Sequence, residues 1–163
     1  ILAILIDIMK KVRIGKEQAI QRIRHYCAYQ ERAQQEVRDK LYELGMTMDE
    51  VEEIMSDLIA ENFLNEERFA IQFAGGKHRM KYWGKKKIEY ALRERGVSSF
   101  CIKNALEEID YDLYKKNLLK MAKQKWDLLK KESTQNRIFK IKNYLLQKGY
   151  ELSLINEILL SLK

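Results

Sequence analysis

The fold is decided by a ten-residue stretch that occurs three times along the chain. The copies are Glu36-Val-Arg-Asp-Lys-Leu-Tyr-Glu-Leu-Gly45, Lys87-Ile-Glu-Tyr-Ala-Leu-Arg-Glu-Arg-Gly96 and Lys140-Ile-Lys-Asn-Tyr-Leu-Leu-Gln-Lys-Gly149. When the copies are aligned on the glycine, the columns at −8, −4, +1, +6, +10 and +13 are apolar in all three. This agreement predicts a tandem repeat with a period of 51–53 residues.

The spacing of the columns is helical. Columns −8 and −4 lie one turn apart, and columns +6, +10 and +13 form a second apolar stripe. The glycine falls where the first helix ends, because glycine adopts the left-handed conformation there with least strain. In column order the residues are Val37, Ile88, Ile141; Leu41, Leu92, Leu145; Met46, Val97, Tyr150; Val51, Ile102, Ile155; Met55, Leu106, Leu159; and Leu58, Ile109, Leu162.

Polar residues mark the predicted starts of further helices. One long helix is expected from residue 66 to about residue 80, with Gly75 and Gly76 as a point where it bends or ends. Another is expected to run from residue 111 to about residue 131. The candidate caps are Asn65, Asp110, Thr47 with Glu50 as a capping box, Ser98 or Ser99, and Ser153.

The expected fold is all-α, with tandem repeats of a three-helix, helix-turn-helix-like unit. About nine helices would form an elongated array that can be curved. Composition agrees, because the 163 residues include 7 glycines and no proline, so few helices are forced to break. The predicted segments are an unassigned N-terminal stretch (1–15), an N-terminal helix (16–31), repeats at 32–83 and 84–132, and a truncated third repeat at 133–163.

Neither a membrane span nor a metal site is indicated by the sequence. The apolar run at residues 1–9 is too short to cross a bilayer, and it lacks the flanking features of a signal peptide. Cys27 and Cys101 have no metal-ligand spacing and suit a reducing cytosol, where we expect them to pack as small apolar side chains. We therefore expect a cytoplasmic monomer without membrane contact.

Three motifs resemble the RecX family, the bacterial regulators of the RecA recombinase. The stretch 36–45 is similar to the family opening "ELRxKLxxxG". The stretch Leu58-Ile-Ala-Glu-Asn-Phe-Leu-Asn-Glu-Glu-Arg-Phe-Ala70 is similar to the core "LxxxgyLdDexFA". Trp83-Gly84, Ile88, Leu92 and Arg95-Gly96-Val97 are similar to "GxxxIxxeLxxkGi". The resemblance covers about residues 16–163. The chain departs from it at Asn65-Glu66, where a pair of acids is usual, and at Ala33, where a serine usually caps a helix.

The resemblance implies a protein that lodges in the groove of the RecA–single-stranded DNA filament. There it would inhibit filament growth, ATP hydrolysis and strand exchange, and temper the DNA-damage response. Duplex DNA is a second candidate ligand. Arg68 is expected either to pair with an acid or to face the partner. The apolar motif residues are expected in the core: Leu41, Leu58, Phe63, Leu64, Phe69, Ala70, Ile88 and Leu92.

Charge favours an acidic partner, since the net charge is +7 and the pI is about 9.3. In the densest basic stretch, Tyr82 and Trp83 stand among lysines and arginines, which suits phosphate neutralisation with base stacking. A solvated helix junction with a buried Trp83 explains the same pattern. The candidate filament- or nucleic-acid-binding residues are Lys77, Arg79, Lys81, Trp83, Lys85, Lys86, Lys87, Arg93 and Arg95.

Two runs of lysines have different expected roles. The lysines at 85–87 open a predicted helix, whose N-terminus disfavours each cation by about 0.3–1 kcal/mol. A cost without a structural benefit is what a polyanion-binding patch would show. The second run is expected to be a solvated helix face and contains Lys115, Lys116, Lys120, Lys123, Lys125, Lys130 and Lys131.

No enzyme motif is present, and no catalytic residue, metal or cofactor is expected. His25 and His78 have no ligand-spaced neighbour. Two other functions remain open: a sequence-specific helix-turn-helix DNA-binding protein, and a helical-repeat scaffold without DNA contact. The acidic second helix of the first unit, 49–61, suits a major groove poorly. A salt-dependent, sequence-indifferent affinity for DNA would favour the filament regulator.

Overall fold

The computed structural model describes residues 13–162, and within that range every regular element is an α-helix. The all-α prediction and the expected number of helices are confirmed. The apolar run at 1–9 lies outside the described residues. The helices are α1 (Lys16–Tyr29), α2 (Gln34–Glu43), α3 (Met48–Ala60), α4 (Glu66–Lys81), α5 (Lys85–Arg93), α6 (Ser99–Glu107), α7 (Tyr111–Leu128), α8 (Thr134–Lys148) and α9 (Leu152–Ser161).

Contacts divide the described residues into two units, one of residues 13–69 with 95–97 and the other of residues 70–94 with 98–162. In the first unit, α1, α2 and α3 pack on one another. In the second, α7, α8 and α9 do the same, and α5 packs on α6. The predicted repeat boundaries and the elongated shape stay predictions. Within residues 13–162, no helix is both long enough and apolar enough to cross a bilayer.

The repeated apolar columns form the cores of the two units. Sixteen of their eighteen residues are buried, and the other two, Leu106 and Leu162, are partly buried. The apolar motif residues are also buried, except for Phe63, which is partly exposed beneath the guanidinium group of Arg24 at 5.6 Å from its ring centroid. Repetition of a helical apolar pattern is therefore a direct guide to burial in this chain.

The three repeat glycines end the first helices of their repeats. Gly45, Gly96 and Gly149 have φ values of +85°, +71° and +91°, and each lies within three residues of the end of α2, α5 or α8. This is the left-handed conformation in which a Cβ atom is strained. The predicted role of the glycines is confirmed.

The capping box at the start of α3 is also confirmed. The N–H of Thr47 donates to the carboxylate of Glu50 at 2.8 Å, and the N–H of Glu50 donates to the Thr47 hydroxyl at 3.4 Å. Chiefly because of the bond from the Thr47 amide, the pKa of the Glu50 carboxyl lies below its usual range. Three other predicted caps accept a backbone N–H: Asn65 from Arg68, Ser98 from Cys101, and Asp110 from Leu113.

The predicted cap at Ser153 is wrong. Helix α9 begins one residue earlier, at Leu152, so Ser153 lies inside its first turn and Glu151 takes the position before it. The Glu151 carboxylate does not cap the helix, because it accepts a hydrogen bond of 2.8 Å from the hydroxyl of Tyr114. The side chain that could have capped α9 is thus used in a tertiary contact.

Helix α4 continues past Gly75 and Gly76, so it does not end there, and a bend at these glycines stays a prediction. A Cβ atom on Gly75 would lie only 2.7 Å from a guanidinium nitrogen of Arg79. The glycine therefore leaves room for the arginine side chain one turn further along the helix. Helix α7 ends at Leu128, slightly before the predicted end at residue 131.

Arg68 pairs with an acid, which decides between its two predicted roles. Its guanidinium group contacts the Glu31 carboxylate and also donates to the Asn62 side chain at 3.0 Å. Across the same unit, carboxylates of α3 and its C-cap pair with basic residues of α1, α2 and the segment before α1. These pairs are Arg13–Glu50, Lys16–Glu53, Arg24–Glu61 and Arg38–Glu52.

Candidate nucleic-acid interface

The turn between α4 and α5 contains a bulky residue in an unusual conformation. Tyr82 has a φ of +53°, and its N–H donates to the carbonyl of His78 at 3.0 Å, which closes the end of α4. Glycine or asparagine is usual at such a position. A bulky aromatic residue such as tyrosine is strained in this conformation, at a cost of about 1–3 kcal/mol. The surrounding contacts must therefore hold the turn in place.

His78 supplies one of those contacts. Its ring is 2% exposed, and Nδ1 lies 3.0 Å from the carbonyl oxygen of Trp83. Because a carbonyl oxygen can only accept, Nδ1 has the proton, and Nε2 accepts from the side-chain amide of Asn117 at 3.0 Å. This neutral tautomer satisfies both ring nitrogens inside the core. In the described part of the chain, no group of three His, Cys, Asp or Glu residues could hold a metal ion.

Trp83, in the same turn, is partly exposed beside two ammonium groups. The Nζ atom of Lys77 lies 5.2 Å from the Trp83 ring centroid, and that of Lys87 lies 4.8 Å from it. Neither lysine pairs with a carboxylate of residues 13–162. Helices α4 and α5 thus bring two positive charges to the ring of Trp83. This is the arrangement expected of residues that bind a nucleic acid by stacking and by charge.

The N-terminus of α5 meets the C-terminus of α8. The N–H of Gly84 donates to the carbonyl of Lys148 at 2.7 Å, and the N–H of Lys86 donates to that of Gly149 at 3.0 Å. The ammonium of Lys87 donates to the carbonyl of Gln147 at 3.4 Å. The negative end of one helix dipole therefore lies at the positive end of another. The expectation that the lysines at 85–87 have no structural benefit is wrong for Lys87.

Lys85 faces away from Trp83 and toward a buried tyrosine. Its N–H donates to the hydroxyl of Tyr114 at 2.9 Å, and its ammonium lies 5.5 Å from the Tyr114 ring centroid. The Tyr114 hydroxyl donates in turn to Glu151, and burial raises the pKa of Tyr114 above its ordinary value. This network lines a cleft of about 290 Å³. Lys85 is thus tied to the packing of α5, α7 and α9.

The remaining predicted site residues have separate surroundings. Arg93 is exposed and pairs with Glu89 at 2.5 Å. Arg95 is partly buried and groups with the first unit. Lys86, Arg79 and Lys81 are exposed. The structure therefore brings together Lys77, Trp83 and Lys87 from the predicted set, and it does not add the others to that group.

Two further rings of the second unit were not among the candidate residues, although one of them, Tyr82, stands in the basic stretch that suits base stacking. The Nζ atom of Lys120 lies 5.6 Å from the ring centroid of Tyr82. The ring of Tyr144 on α8 has Lys125 at 5.0 Å and Lys148 at 5.8 Å. All of these rings are partly exposed. We use the name aromatic–lysine surface for three rings and the five lysines near them: Tyr82, Trp83, Tyr144, Lys77, Lys87, Lys120, Lys125 and Lys148.

Lys148 connects the parts of this surface. Its ammonium donates to the carbonyl of Lys81 at 3.2 Å, next to Tyr82, while its side chain approaches Tyr144. None of the five lysines pairs with a carboxylate among the described residues. By contrast, Lys115 approaches the ring of Tyr111 at 5.7 Å but is paired with Glu157 at 2.9 Å.

Charge is divided unequally between the two units. The described residues of the second unit include 19 basic and 10 acidic side chains, a net of +9. Those of the first unit include 9 basic and 13 acidic side chains, a net of −4. The aromatic–lysine surface therefore belongs to the unit whose charge favours a polyanion.

Comparison with protein families gives three consecutive matches. Residues 19–58 match the first three-helix domain of RecX, residues 65–106 the second and residues 113–159 the third. Each match groups a helix with the two helices after it. The boundaries that we predicted instead join each long helix to the two helices before it, and a three-helix period permits either grouping.

Relatives of known sequence and structure agree with these matches. Regulatory protein RecX of Clostridium perfringens (strain 13 / Type A) is 34% identical over 129 residues, covering 78% of this chain and 60% of the relative. Regulatory protein RecX of Prosthecochloris aestuarii is 29% identical over 141 residues, covering 86% of this chain and 91% of the relative. The crystal structure of RecX from Lactobacillus salivarius superimposes with a TM-score of 0.83 at 26% identity, covering 90% of this chain and 96% of that one.

The chain spans 50–60% of the length of several curated relatives that it matches, including those of Clostridium perfringens and Oceanobacillus iheyensis. The three domains nevertheless follow one another in the family order, and they account for helices α1 to α9. The repeated motifs, the domain matches and the shared all-α structure lead to one conclusion: this chain belongs to the RecX family of regulatory proteins.

Proposed function

We propose that this protein binds the filament that a RecA-type recombinase forms on single-stranded DNA. Binding inhibits filament growth, ATP hydrolysis and strand exchange, and so tempers DNA repair and the DNA-damage response. Membership of the RecX family supports the choice of partner. The observation that carries DNA contact is the partly exposed ring of Trp83 between the ammonium groups of Lys77 and Lys87, neither of which pairs with a described carboxylate.

The division of charge supports a partner made of both protein and nucleic acid. The second unit, with a net charge of +9, is suited to phosphates. The first unit, with a net charge of −4, is repelled by phosphates and suits a basic protein surface. In this proposal the protein acts as a cytoplasmic monomer that occupies a surface of the filament, without catalysis and without a cofactor.

The decisive experiment is an ATPase assay of the cognate recombinase on single-stranded DNA with the full chain added. We expect inhibition that increases with protein concentration and weakens as salt is raised, because ion release contributes to DNA contact. An unchanged ATPase rate at saturating protein would contradict the proposal.

The variant Lys77→Ala/Lys87→Ala tests the site. We expect weaker DNA binding and weaker inhibition together. Lys130→Ala/Lys131→Ala is the matched control, because it removes the same charge from exposed lysines of the same unit for which the structure shows no contact with a described ring. If both double variants inhibited equally well, the Trp83 site would be wrong even though the partner could be right.

The triple variant of the lysines at 85–87 serves as a second test. Its effect on inhibition is expected to come mainly from Lys87, because Lys85 approaches the buried Tyr114 ring instead. We expect a small loss of stability on substitution by alanine, since the bond from Lys87 to Gln147 is lost, whereas the sequence alone predicts an unchanged or slightly raised stability. Thermal unfolding measured alongside the ATPase assay separates the two effects.

A further inference from the structure

Tyr82 and Tyr144 show a feature that the proposed function does not require. Both rings are partly exposed; Tyr82 has one lysine ammonium group within 6 Å and Tyr144 has two, and none of these lysines pairs with a described carboxylate. A lysine side chain is flexible and can move from a ring to a phosphate. The ring face is then available to another flat group, while the charge remains close by.

From these contacts we propose that Tyr82 and Tyr144 are stacking platforms for unpaired bases of a single-stranded nucleic acid. Lys120, Lys125 and Lys148 neutralise the phosphates of the same strand. The inference takes a nucleic acid as ligand from the proposed function, but it adds a second group of contacts beyond Trp83. The strand extends from the turn between α4 and α5 onto α7 and α8.

Continuity of the surface supports a single strand path. Lys148 touches the turn through its bond to the Lys81 carbonyl and approaches the ring of Tyr144 on its own helix. Tyr82 follows Lys81 directly, and Trp83 follows Tyr82. Three rings with lysines between them therefore occupy neighbouring positions of one unit. Successive bases of a flexible strand could engage them in turn.

The conformation of Tyr82 is a second, independent observation. A tyrosine with a φ of +53° is strained, and asparagine would meet the backbone requirement with less strain. The ring therefore stands at a position where local backbone preference opposes it. A ligand-binding role for the ring accounts for its presence there, since strained residues cluster at functional sites.

Stacking predicts a preference for unpaired bases. In a duplex the base faces are covered by neighbouring bases, so the rings gain no stacking partner and only phosphate attraction remains. A surface that used charge alone would instead bind the duplex at least as well, because the duplex has the higher charge density.

The test measures binding of the full chain, without recombinase, to a fluorescent 20-nucleotide oligo(dT) and to a duplex of equal length. We expect the single strand to bind at least tenfold more tightly. Tyr144→Leu and Tyr82→Asn are each expected to weaken binding to the single strand by about tenfold, in line with the loss of one stacked base. Tyr82→Asn is also expected to keep or raise the melting temperature, because it relieves the strained backbone.

Matched controls come from the same unit. Tyr111→Leu removes an exposed tyrosine whose lysine neighbour is paired with Glu157, and it should leave the affinity unchanged within about twofold. Lys120→Gln/Lys125→Gln should weaken binding and flatten its salt dependence more than Lys130→Gln/Lys131→Gln, which removes the same charge.

Equal affinity for duplex and single strand would overturn the inference, as would Tyr144→Leu and Tyr82→Asn variants that bind as well as Tyr111→Leu. These outcomes are distinct from failure of the proposed function. If the rings bind the oligonucleotide but the recombinase ATPase is unaffected, the inference stands and the function fails. If the ATPase is inhibited while the ring variants bind normally, the function stands and the inference fails.

Discussion

The backbones of Gly84 and Gly149 are in direct contact. The N–H of Gly84 donates to the carbonyl of Lys148 at 2.7 Å, and a Cβ atom on Gly84 would lie 2.3 Å from the carbonyl oxygen of Gly149. No side chain fits in that space. A close approach of two main chains therefore joins the start of α5 to the end of α8.

We expect Gly84→Ala to lower the free energy of unfolding by about 2–3 kcal/mol, because the added methyl group must displace backbone atoms. The matched control is Gly76→Ala inside α4, since a Cβ atom there would meet no neighbouring atom of the described residues within 4 Å. The control should raise stability by about 0.5–1 kcal/mol through helix propensity. Urea unfolding of both variants makes the measurement, and equal stabilities would contradict the close contact.

Gly96→Val tests the repeated turn. The φ of +71° at Gly96 is strained for a β-branched residue, so we expect a loss of more than about 1 kcal/mol in the free energy of unfolding. No atom of residues 13–162 lies within 4 Å of a Cβ at this position, so the cost is a backbone cost alone. Gly96→Asn should therefore lose clearly less than Gly96→Val, because asparagine tolerates the left-handed conformation. Two equal losses would show that backbone strain is not the cause.

The sequence predicted these turns because glycine is a local signal. The columns around Gly45, Gly96 and Gly149 specify both where a helix ends and which faces are buried, and both depend on residues close in sequence. Ser153 is not the cap because α9 begins one residue before it, and the side chain at the cap position, Glu151, accepts its bond from Tyr114, which is 37 residues away in sequence.

The candidate site was predicted in part for the same reason. Lys77, Trp83 and Lys87 are close in sequence, so their proximity could be inferred from one basic stretch. Tyr144 and Lys148 are one helical turn apart, and that local signal was available in the sequence. The contact of Lys120 with Tyr82 joins residues that are far apart in sequence, so no local pattern predicts it. An aromatic residue at a left-handed position also runs against the backbone preferences on which sequence reading depends.

The core tyrosines make stability sensitive to alkaline pH. Burial raises the pKa of both Tyr114 and Tyr150 above the ordinary value near 10. Their neutral forms are therefore favoured in the folded state, and this contribution is complete below about pH 10 and decreases above it. We expect the free energy of unfolding to fall by about 1.4 kcal/mol per pH unit for each tyrosine above that value. Urea unfolding between pH 8 and pH 11.5 measures the slope.

Phenylalanine substitutions separate the two tyrosines. Tyr114→Phe leaves the N–H of Lys85 and the carboxylate of Glu151 without their bond to the hydroxyl, so we expect a loss of about 1–3 kcal/mol at pH 7. The buried Tyr150 hydroxyl has no hydrogen-bond partner among the described residues. Tyr150→Phe should therefore be neutral or stabilising at pH 7. The reverse order of stabilities would be evidence against this hydrogen-bond arrangement.

Cys27 should react slowly with thiol reagents. Its side chain is 6% exposed, and burial raises the pKa of its thiol to about 11. At pH 8 only about 0.1% of the thiol would be ionised, and the thiolate is the reactive form. In a Cys101→Ala background, we expect Cys27 to be modified far more slowly in the native protein than in urea. Rapid modification of the native protein would show that the core around Cys27 opens readily.

The meeting of α8 with α5 has a consequence for cooperativity. The amides of Gly84 and Lys86 belong to the second domain, but their hydrogen-bond acceptors, the carbonyls of Lys148 and Gly149, belong to the third. The start of α5 can therefore exchange its amide hydrogens only when the end of α8 moves away. The conformation of the turn that contains Trp83 is accordingly stabilised by residues that lie more than sixty positions later in the chain. We therefore expect neither domain to reach its full local stability alone, as in other repeat proteins whose neighbours stabilise one another.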